Sequence, residues 1–352
     1  MWELVRYTIN AAALDLNTDS NTRQRDLCAL DAWVATRYQG GVAPGSASHL
    51  RRRVAQSMFE ANGYVNFWTE FLVSHVGVLH DYTLEYADQG LAGQLWNQAP
   101  VPMGKTTTPL GMANYSLLSY YDEGDGLVHG TPRPLVDWPR SSGLDTDQKT
   151  SGFCNKLCAQ MNAYAAVAQG WMAEISKRAG VSGKNASPAY SDRAAKIRAT
   201  AHTTFAASGS DCHSGGPDDA QTTAEPLQFY TDQPTGADPE AGSFTSATAA
   251  SLAAFANLPG DASGVLDLVP FLKARNGRRG PGHGLEISGW LTGFMLEGIY
   301  TAAGDLSDPS LDPVAVLAAA DYAHETLTNE GNNSWLVSAY NSSFKNSFDL
   351  CF

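Results

Sequence analysis

The chain has 352 residues, 43% of them hydrophobic, enough to bury a sizeable core as one large domain or two ordinary ones. Its 36 acidic and 23 basic residues give a formal net charge of −13, and such a surface repels phosphate backbones and anionic lipid. We therefore expect neither nucleic acid nor a membrane surface as a partner. Neutral or cationic small molecules fit this charge better, and neutral sugars are among them.

The start of the chain predicts an amphipathic helix and no targeting segment. The stretch MWELVRYTINAAALDL places Trp2, Val5, Ile9, Ala12 and Ala13 on one side of such a helix. It lacks the basic n-region, apolar h-region and small-residue cleavage site of a signal peptide. No apolar run approaches the ~20 residues of a membrane span. We therefore expect neither a signal peptide nor a membrane span in this chain.

Helical periodicity dominates the rest of the chain. Apolar residues recur at spacings of three and four over 67–86 and 157–175, and Gly180 predicts the stop of the second helix. Further helices are predicted over 30–38, 46–61, 246–257, 263–275, 286–303 and 313–328. Residues 227–230 are the best short candidate for a strand.

Two long stretches, 97–150 and 204–244, are rich in Gly, Pro, Ser, Thr and Asp and are predicted to be irregular. Their aromatic content is too high for plain linkers, since they contain Tyr120, Tyr121, Trp138, Phe229 and Tyr230. Within the first stretch, DEGDG at 122–126 lacks the full ligand spacing of a calcium loop and favours a polar surface turn. The pattern predicts an all-α fold with helical hairpins around a pocket.

Cysteines and sequons leave the compartment open. Five cysteines do not make a disulfide scaffold, and we expect Cys154 and Cys158, four apart on a predicted helix, to pack as small apolar groups. Adding Cys212 and His213 fits no zinc spacing, so no metal site is predicted. Asn-X-Ser sequons permit a secreted, extracellular parent protein without establishing one; they start at Asn114, Asn185, Asn332 and Asn341.

Residues 18–33, TDSNTRQRDLCALDAW, combine interleaved charges with an apolar helix face. In one interpretation a polar residue near Asp19 caps a helix and the charges form a solvated face. In the other, charges that adjoin a buried face are paired or line a wet cavity. The charged residues concerned are Asp19, Arg23, Arg25, Asp26 and Asp31.

This segment resembles the signature of the α-L-rhamnosidase catalytic domain, glycoside hydrolase family 78. In that family an aspartate, an Arg-Glu pair four and five residues later, and an aspartate twelve residues later line the sugar pocket. Asp19, Arg23 and Asp31 match the first, second and fourth of these positions. Further segments are similar to the family and follow in its order: LVDWP at 135–139, the helix at 153–179, FLKARNG at 271–277, GWLTGFMLEGIYTAAG at 289–304 and NNSW at 332–335.

The resemblance implies a single domain over 1–352 with a six-hairpin (α/α)6 barrel, and hydrolysis of terminal α-L-rhamnose with inversion and without a cofactor. It implies that Asp19 and Asp31 bind the sugar and that Arg23 orients them. Trp138 and Trp335 are candidates for apolar walls against the sugar, with burial in the core as the alternative. Asp137, beside Trp138, and His283, before a helix at the barrel mouth, complete the substrate-binding candidates.

The chain departs from the family at both catalytic positions. Gln24 occupies the position of the acid, and an amide supplies no proton; Asp26 is the substitute candidate, with an ion pair to Arg23 or Arg25 as its alternative role. The family's base is a glutamate beyond the Ser-Trp pair, where this chain has only Asp349. We also expect the last barrel helix and the family's flanking β-domains to be missing, as in a truncated piece of a longer protein, a shortened gene product or a divergent relative.

Three other functions stay open. The first is a sugar-binding domain that keeps the pocket and lacks the acid, which residual cleavage of a rhamnoside would exclude. The second is a different hydrolase or lyase on the same helical barrel, which a panel of aryl glycosides would reveal. The third is a helical scaffold or interaction protein, for which no sugar would raise the melting temperature.

Overall fold

The computed structural model describes residues 29–42, 52–56, 69–96, 115–131, 157–181, 187–212, 221–231, 234, 247–271 and 289–304. Most of these residues are helical. The numbered helices are α1 (Ala29–Val42), α2 (Thr69–Tyr86), α3 (Gln89–Trp96), α4 (Ala159–Arg178), α5 (Ser187–Phe205), α6 (Ala247–Phe255), α7 (Ala262–Leu266) and α8 (Gly289–Gly304). Residues 52–56 are also helical. None of the helices within these ranges is both long and apolar enough to cross a membrane.

Within the described ranges, strands form two small sheets of two strands each, and the second of these is antiparallel. The first pairs β1 (Tyr121–Asp122) with β2 (Leu127–Val128), and the second pairs β3 (Ala206–Cys212) with β4 (Gln221–Tyr230). In the second pair Ala206 lies opposite Tyr230, and the register shifts between Gly209 and Asp211.

The chain divides into two compact units. Unit 1 comprises Met1–Tyr121, Val167–Ala194 and Ser347–Phe352, and unit 2 comprises Asp122–Ala166 and Ala195–Asn346. The single domain expected from the sequence therefore stays a prediction.

Unit 1 is built around α2, which packs against α1 and α3. Most residues of α2 are buried, including polar ones such as Glu70 and His75, so protein surrounds this helix on nearly every side. Asp88 begins the next helix: its Oδ1 accepts the backbone N–H of Leu91, three residues on, which is the geometry of an N-cap. The same carboxylate accepts a hydrogen bond from Tyr82 and pairs with Arg52.

In unit 2, α6 packs against α8 and β4, and α8 also packs against α7. The approach of α6 and α8 is close because Gly298 has no side chain, and a Cβ there would meet the backbone of Ala254. Phe255 and Phe294 stack across the same pair with ring centroids 4.6 Å apart. At the start of α4, the fully buried Asn162 side chain accepts from the Val128 backbone N–H at 2.8 Å and donates to its carbonyl at 3.2 Å, which fastens β2 to the helix.

Several sequence-based expectations are confirmed. Helices are present where periodicity predicted them over 67–86 and 157–175, and Gly180 follows the second in the left-handed conformation at φ +68°. The strand at 227–230 is the end of β4. The helix predicted over 313–328 and the one at the start of the chain lie outside the described residues.

Other expectations are wrong. The stretch 204–244 is not wholly irregular, because β3 and β4 pair within it. Cys158 is disulfide-bonded and buried rather than packed as a free apolar thiol. Spacing along a helix places two cysteines on one face but does not report whether a sulfur is oxidised.

Candidate functional site

The predicted site lies almost entirely outside the part of the chain that the structure describes. Asp31 is in the first turn of α1, although its side chain is outside the described set. The remaining candidates lie outside the described residues altogether: Asp19, Arg23, Gln24, Asp26, Asp137, Trp138, His283, Trp335 and Asp349. Their roles stay predictions.

A different group of ionisable side chains comes together in unit 1, from α1, α2 and α4. At its centre the Asp81 Oδ2 accepts a hydrogen bond from the Trp33 Nε1 at 3.0 Å. The Nε of Arg37 lies 2.9 Å from the same oxygen. Trp33 and Arg37 are one turn apart on α1, so both reach one carboxylate on α2.

His80 connects this carboxylate to a second one. Its Nδ1 lies 3.2 Å from the Asp81 Oδ1, and its Nε2 lies 3.3 Å from the Glu174 Oε2 on α4. The His80 side chain is only 9% exposed, whereas that of Glu174 is 55% exposed. The imidazole therefore links a mostly buried carboxylate to one that faces solvent.

Aromatic rings enclose the buried side of this network. Trp171 meets the edge of Trp33 with ring centroids 5.2 Å apart, and it stacks on His80 at 5.3 Å. Trp33 is fully buried, and its ring lies so close to α2 that a Cβ at Gly77 would be 2.5 Å from the Trp33 Cε2. The rings exclude water, which strengthens the charge pairs that they surround.

The proton distribution is set by these contacts. Burial alone would lower the pKa of His80, but the hydrogen bonds to Asp81 and Glu174 raise it above the ordinary 6.5. Burial alone would raise the pKa of Asp81, yet His80, Arg37 and Trp33 hold it below 3.8. The hydrogen bond from His80 lowers the pKa of Glu174 below 4.5, despite partial burial.

With a protonated imidazole, the network has two positive and two negative charges from Arg37, Asp81, His80 and Glu174. Each charged group in the network lies beside a group of opposite charge, as buried charges require. Chemically it can keep a proton on His80 and an ionised carboxylate at the surface. Among the described residues, no group of three or more His, Cys, Asp or Glu side chains could hold a metal ion.

Most of this network went unrecognised in the sequence. His80, Asp81, Glu174 and Arg37 are not among the site residues that the sequence predicts. One signal was available: the charged pair His80–Asp81 interrupts an apolar helix, and charge inside a buried helix requires partners. The partners themselves could not be named, since Glu174 lies 94 positions further along the chain.

Unit 2 holds polar contacts that are structural in character. The DEGDG segment is a surface turn, as predicted: Asp122 Oδ1 accepts from the Gly124 N–H and Asp125 Oδ1 from the Leu127 N–H. The His202 Nδ1 lies 2.7 Å from the Tyr230 hydroxyl, and burial raises the pKa of that tyrosine.

Compared with known proteins, the chain matches no family model, and no curated protein is significantly similar to it in sequence.

Proposed function

We propose that this chain is a glycoside hydrolase of the α-L-rhamnosidase type, folded as a six-hairpin (α/α)6 barrel, that removes terminal α-L-rhamnose by an inverting mechanism. The observation that carries the proposal is the order of the family-like segments along the chain, from the signature at 18–33 to NNSW at 332–335. Separate short matches arise easily by chance, whereas a full set in the family's order is much rarer.

The helices of the described residues support this proposal. The signature runs into α1, α4 lies within the family-like helix at 153–179, and α8 is the segment GWLTGFMLEGIYTAAG. Helices also pack in pairs inside each unit, α1 with α2 and α6 with α8. Packed helix pairs are the building blocks of a hairpin barrel.

Charge supports a sugar as the substrate. A net charge of −13 disfavours anionic ligands, while a neutral sugar is unaffected by it. The reaction passes through a cationic, oxocarbenium-like transition state, which carboxylates around the ring stabilise. Asp19 and Asp31 are the residues proposed for that role, with Arg23 orienting them and Asp137, Trp138, His283 and Trp335 contacting the sugar.

The catalytic pair is the weakest match to the family. Inversion needs a protonated carboxyl for the leaving oxygen and a carboxylate that activates water, about 6.5–9.5 Å apart. We propose Asp349 as the base. Gln24 occupies the position of the acid and cannot donate a proton, so Asp26 is the substitute candidate for the acid, which the experiment below tests.

The test compares two substrates and two variants. A positioned acid contributes ~10²–10⁴ in rate, mainly for leaving groups that need a proton. We expect the chain to cleave an activated aryl rhamnoside, with natural rhamnosides cleaved far more slowly, and Gln24→Glu to raise the rate on the natural ones. If Asp26 is already an efficient acid, Asp26→Asn abolishes turnover and Gln24→Glu brings no gain. Turnover of aryl glucosides or galactosides instead would contradict the rhamnoside assignment.

Gln24 also favours a second candidate, a rhamnoside-binding domain without catalysis. This alternative predicts a rhamnose-dependent rise in melting temperature together with no turnover in any variant. Absence of both binding and turnover would contradict both candidates.

A further inference from the structure

We propose that Asp81 is a positioning residue: it fixes α1 against α2, and through α1 it fixes Asp31, a carboxylate of the proposed sugar site. The role of Asp31 in this proposal rests on the proposed function. The contacts that fix α1 against α2 are all between described residues.

The first contact that fixes α1 against α2 is made at Gly77, which has no side chain. Gly77 and Asp81 are four residues apart and so lie on one face of that helix, one turn from each other. The Trp33 indole lies against Gly77, where a Cβ would come within 3.0 Å of three of its ring atoms. One turn on, Asp81 accepts the indole N–H at 3.0 Å. The ring is therefore held by shape on one side and by a hydrogen bond on the other.

A second donor on α1, the Arg37 side chain, further restricts the movement of α1 relative to α2. The Arg37 Nε lies 2.9 Å from the same Asp81 oxygen, and its guanidinium carbon lies 5.4 Å from the centroid of the Trp33 ring. Two donors one turn apart on α1 that converge on one oxygen fix both the rotation of the helix and its position along its axis. The other Asp81 oxygen faces His80, so the carboxylate is itself held in place.

Asp31 moves with this arrangement. It precedes Trp33 by two residues on the same helix, about 3 Å along the helix axis. A rigid helix transmits a displacement over that distance without loss. Because a misplacement of ~1 Å can cost a catalytic site ~10²-fold in rate, we expect the contacts that fix α1 to affect how well Asp31 binds the sugar.

The experiment compares Asp81→Ala with Asp81→Asn in the full chain. In the Asn variant the amide oxygen can still accept from Trp33 and Arg37, and the amide NH₂ can face a neutral His80. Tyr82→Phe is the matched control, because it removes one hydrogen bond from the next residue of α2, to Asp88 rather than to α1. Arg37→Met removes one of the two donors and keeps the aliphatic stem, which tests the hold should Asp81→Ala not fold.

Two readouts are needed: hydrogen exchange of the α1 backbone relative to α4, and KM and kcat on an aryl rhamnoside. We expect Asp81→Ala to raise α1 exchange at least ~10-fold and KM by ~10-fold or more, with a smaller change in kcat. Arg37→Met should give intermediate values. Asp81→Asn should restore both readouts, and Tyr82→Phe should leave both near wild type.

Unchanged α1 exchange in Asp81→Ala, or in Arg37→Met should the alanine variant not fold, overturns the proposal whether or not the chain cleaves a rhamnoside. Raised exchange with unchanged KM in an active chain overturns it too, because the position of Asp31 then does not depend on Asp81. A wild-type chain that neither binds nor cleaves a rhamnoside overturns the proposed function, and α1 exchange still decides whether Asp81 fixes the helix.

Discussion

Alanine at Gly77 should destabilise unit 1, although alanine normally stabilises a helix. Gly77 lies inside α2, and a Cβ built there would be 2.5 Å from the Trp33 Cε2, 2.7 Å from its Nε1 and 2.9 Å from its Cζ2. The indole has no room to retreat, since it is fully buried and Trp171 stands against it with ring centroids 5.2 Å apart.

The magnitude combines three contributions of different sign. Replacing a helical glycine by alanine gains about 1 kcal/mol in an open site. Overpacking a filled core costs about 1–3 kcal/mol. Displacing the indole weakens its hydrogen bond to the Asp81 carboxylate, and a bond to a charged group contributes about 1.5–3 kcal/mol. The unfavourable contributions are larger than the gain, and the net loss is about 1.5–5 kcal/mol.

Gly93 provides the matched control in the same unit. It lies inside α3, and a Cβ there would have nothing within 4 Å. Gly93→Ala should therefore stabilise the chain by up to about 1 kcal/mol. Urea unfolding followed by tryptophan fluorescence measures both variants. A Gly77→Ala chain that unfolds at or above the wild-type urea midpoint, with Gly93→Ala behaving as expected, would refute the close packing of Trp33 on α2.

Three further predictions concern pH, the disulfide and a buried amide. The pKa of His80 is raised above 6.5, so its stabilisation is complete below that pH and is lost as pH rises through the folded pKa. The pKa of Asp81 is lowered below 3.8, so its stabilisation is lost as pH falls through the folded value. The urea-derived free energy of unfolding should peak between these limits. His80→Gln should flatten the alkaline side, and also part of the acid side, because His80 lowers the pKa of Asp81 and of Glu174. Cys158 should resist alkylation in the unfolded chain until a reductant is added, and reduction should lower the free energy of unfolding by about 2–4 kcal/mol. Asn162→Ala removes the amide that binds the buried N–H and carbonyl of Val128, and each unpaired group should cost about 1–3 kcal/mol of folding free energy. Hydrogen exchange at Val128 should rise, and unchanged exchange there would contradict the contact.

Helix prediction succeeded where large apolar residues mark the buried side. Over α2 and α4 such residues recur at helical spacing, and both helices are buried along most of their length. The periodicity does not predict α5, whose buried positions include small alanines and whose other residues are polar or small. A stripe of Tyr190, Ala194, Ile197, Ala201 and Phe205 was present, but alanine is too weakly apolar to stand out from a polar helix.

The pairing of β3 with β4 could not be predicted from the sequence, for a different reason. The segment that becomes β3, AASGSDC, has no alternation of apolar and polar residues. In β4, only its end at 227–230 is predicted as a strand. Each strand is completed by the other through backbone hydrogen bonds, so neither is identifiable alone.

By itself the sequence determined the helical character of the described residues and the net negative charge of the chain, because periodicity and charge are properties of the linear chain. Only the tertiary structure decided that Asp81 joins Trp33, which is 48 positions away, and that His80 joins Glu174. It also decided that the Trp33 ring packs directly against Gly77, so that this glycine is needed for the contact between two helices. Helical periodicity predicts which face of a helix is buried, but the partner of a buried charge depends on which helices meet, and distant parts of the chain decide that together.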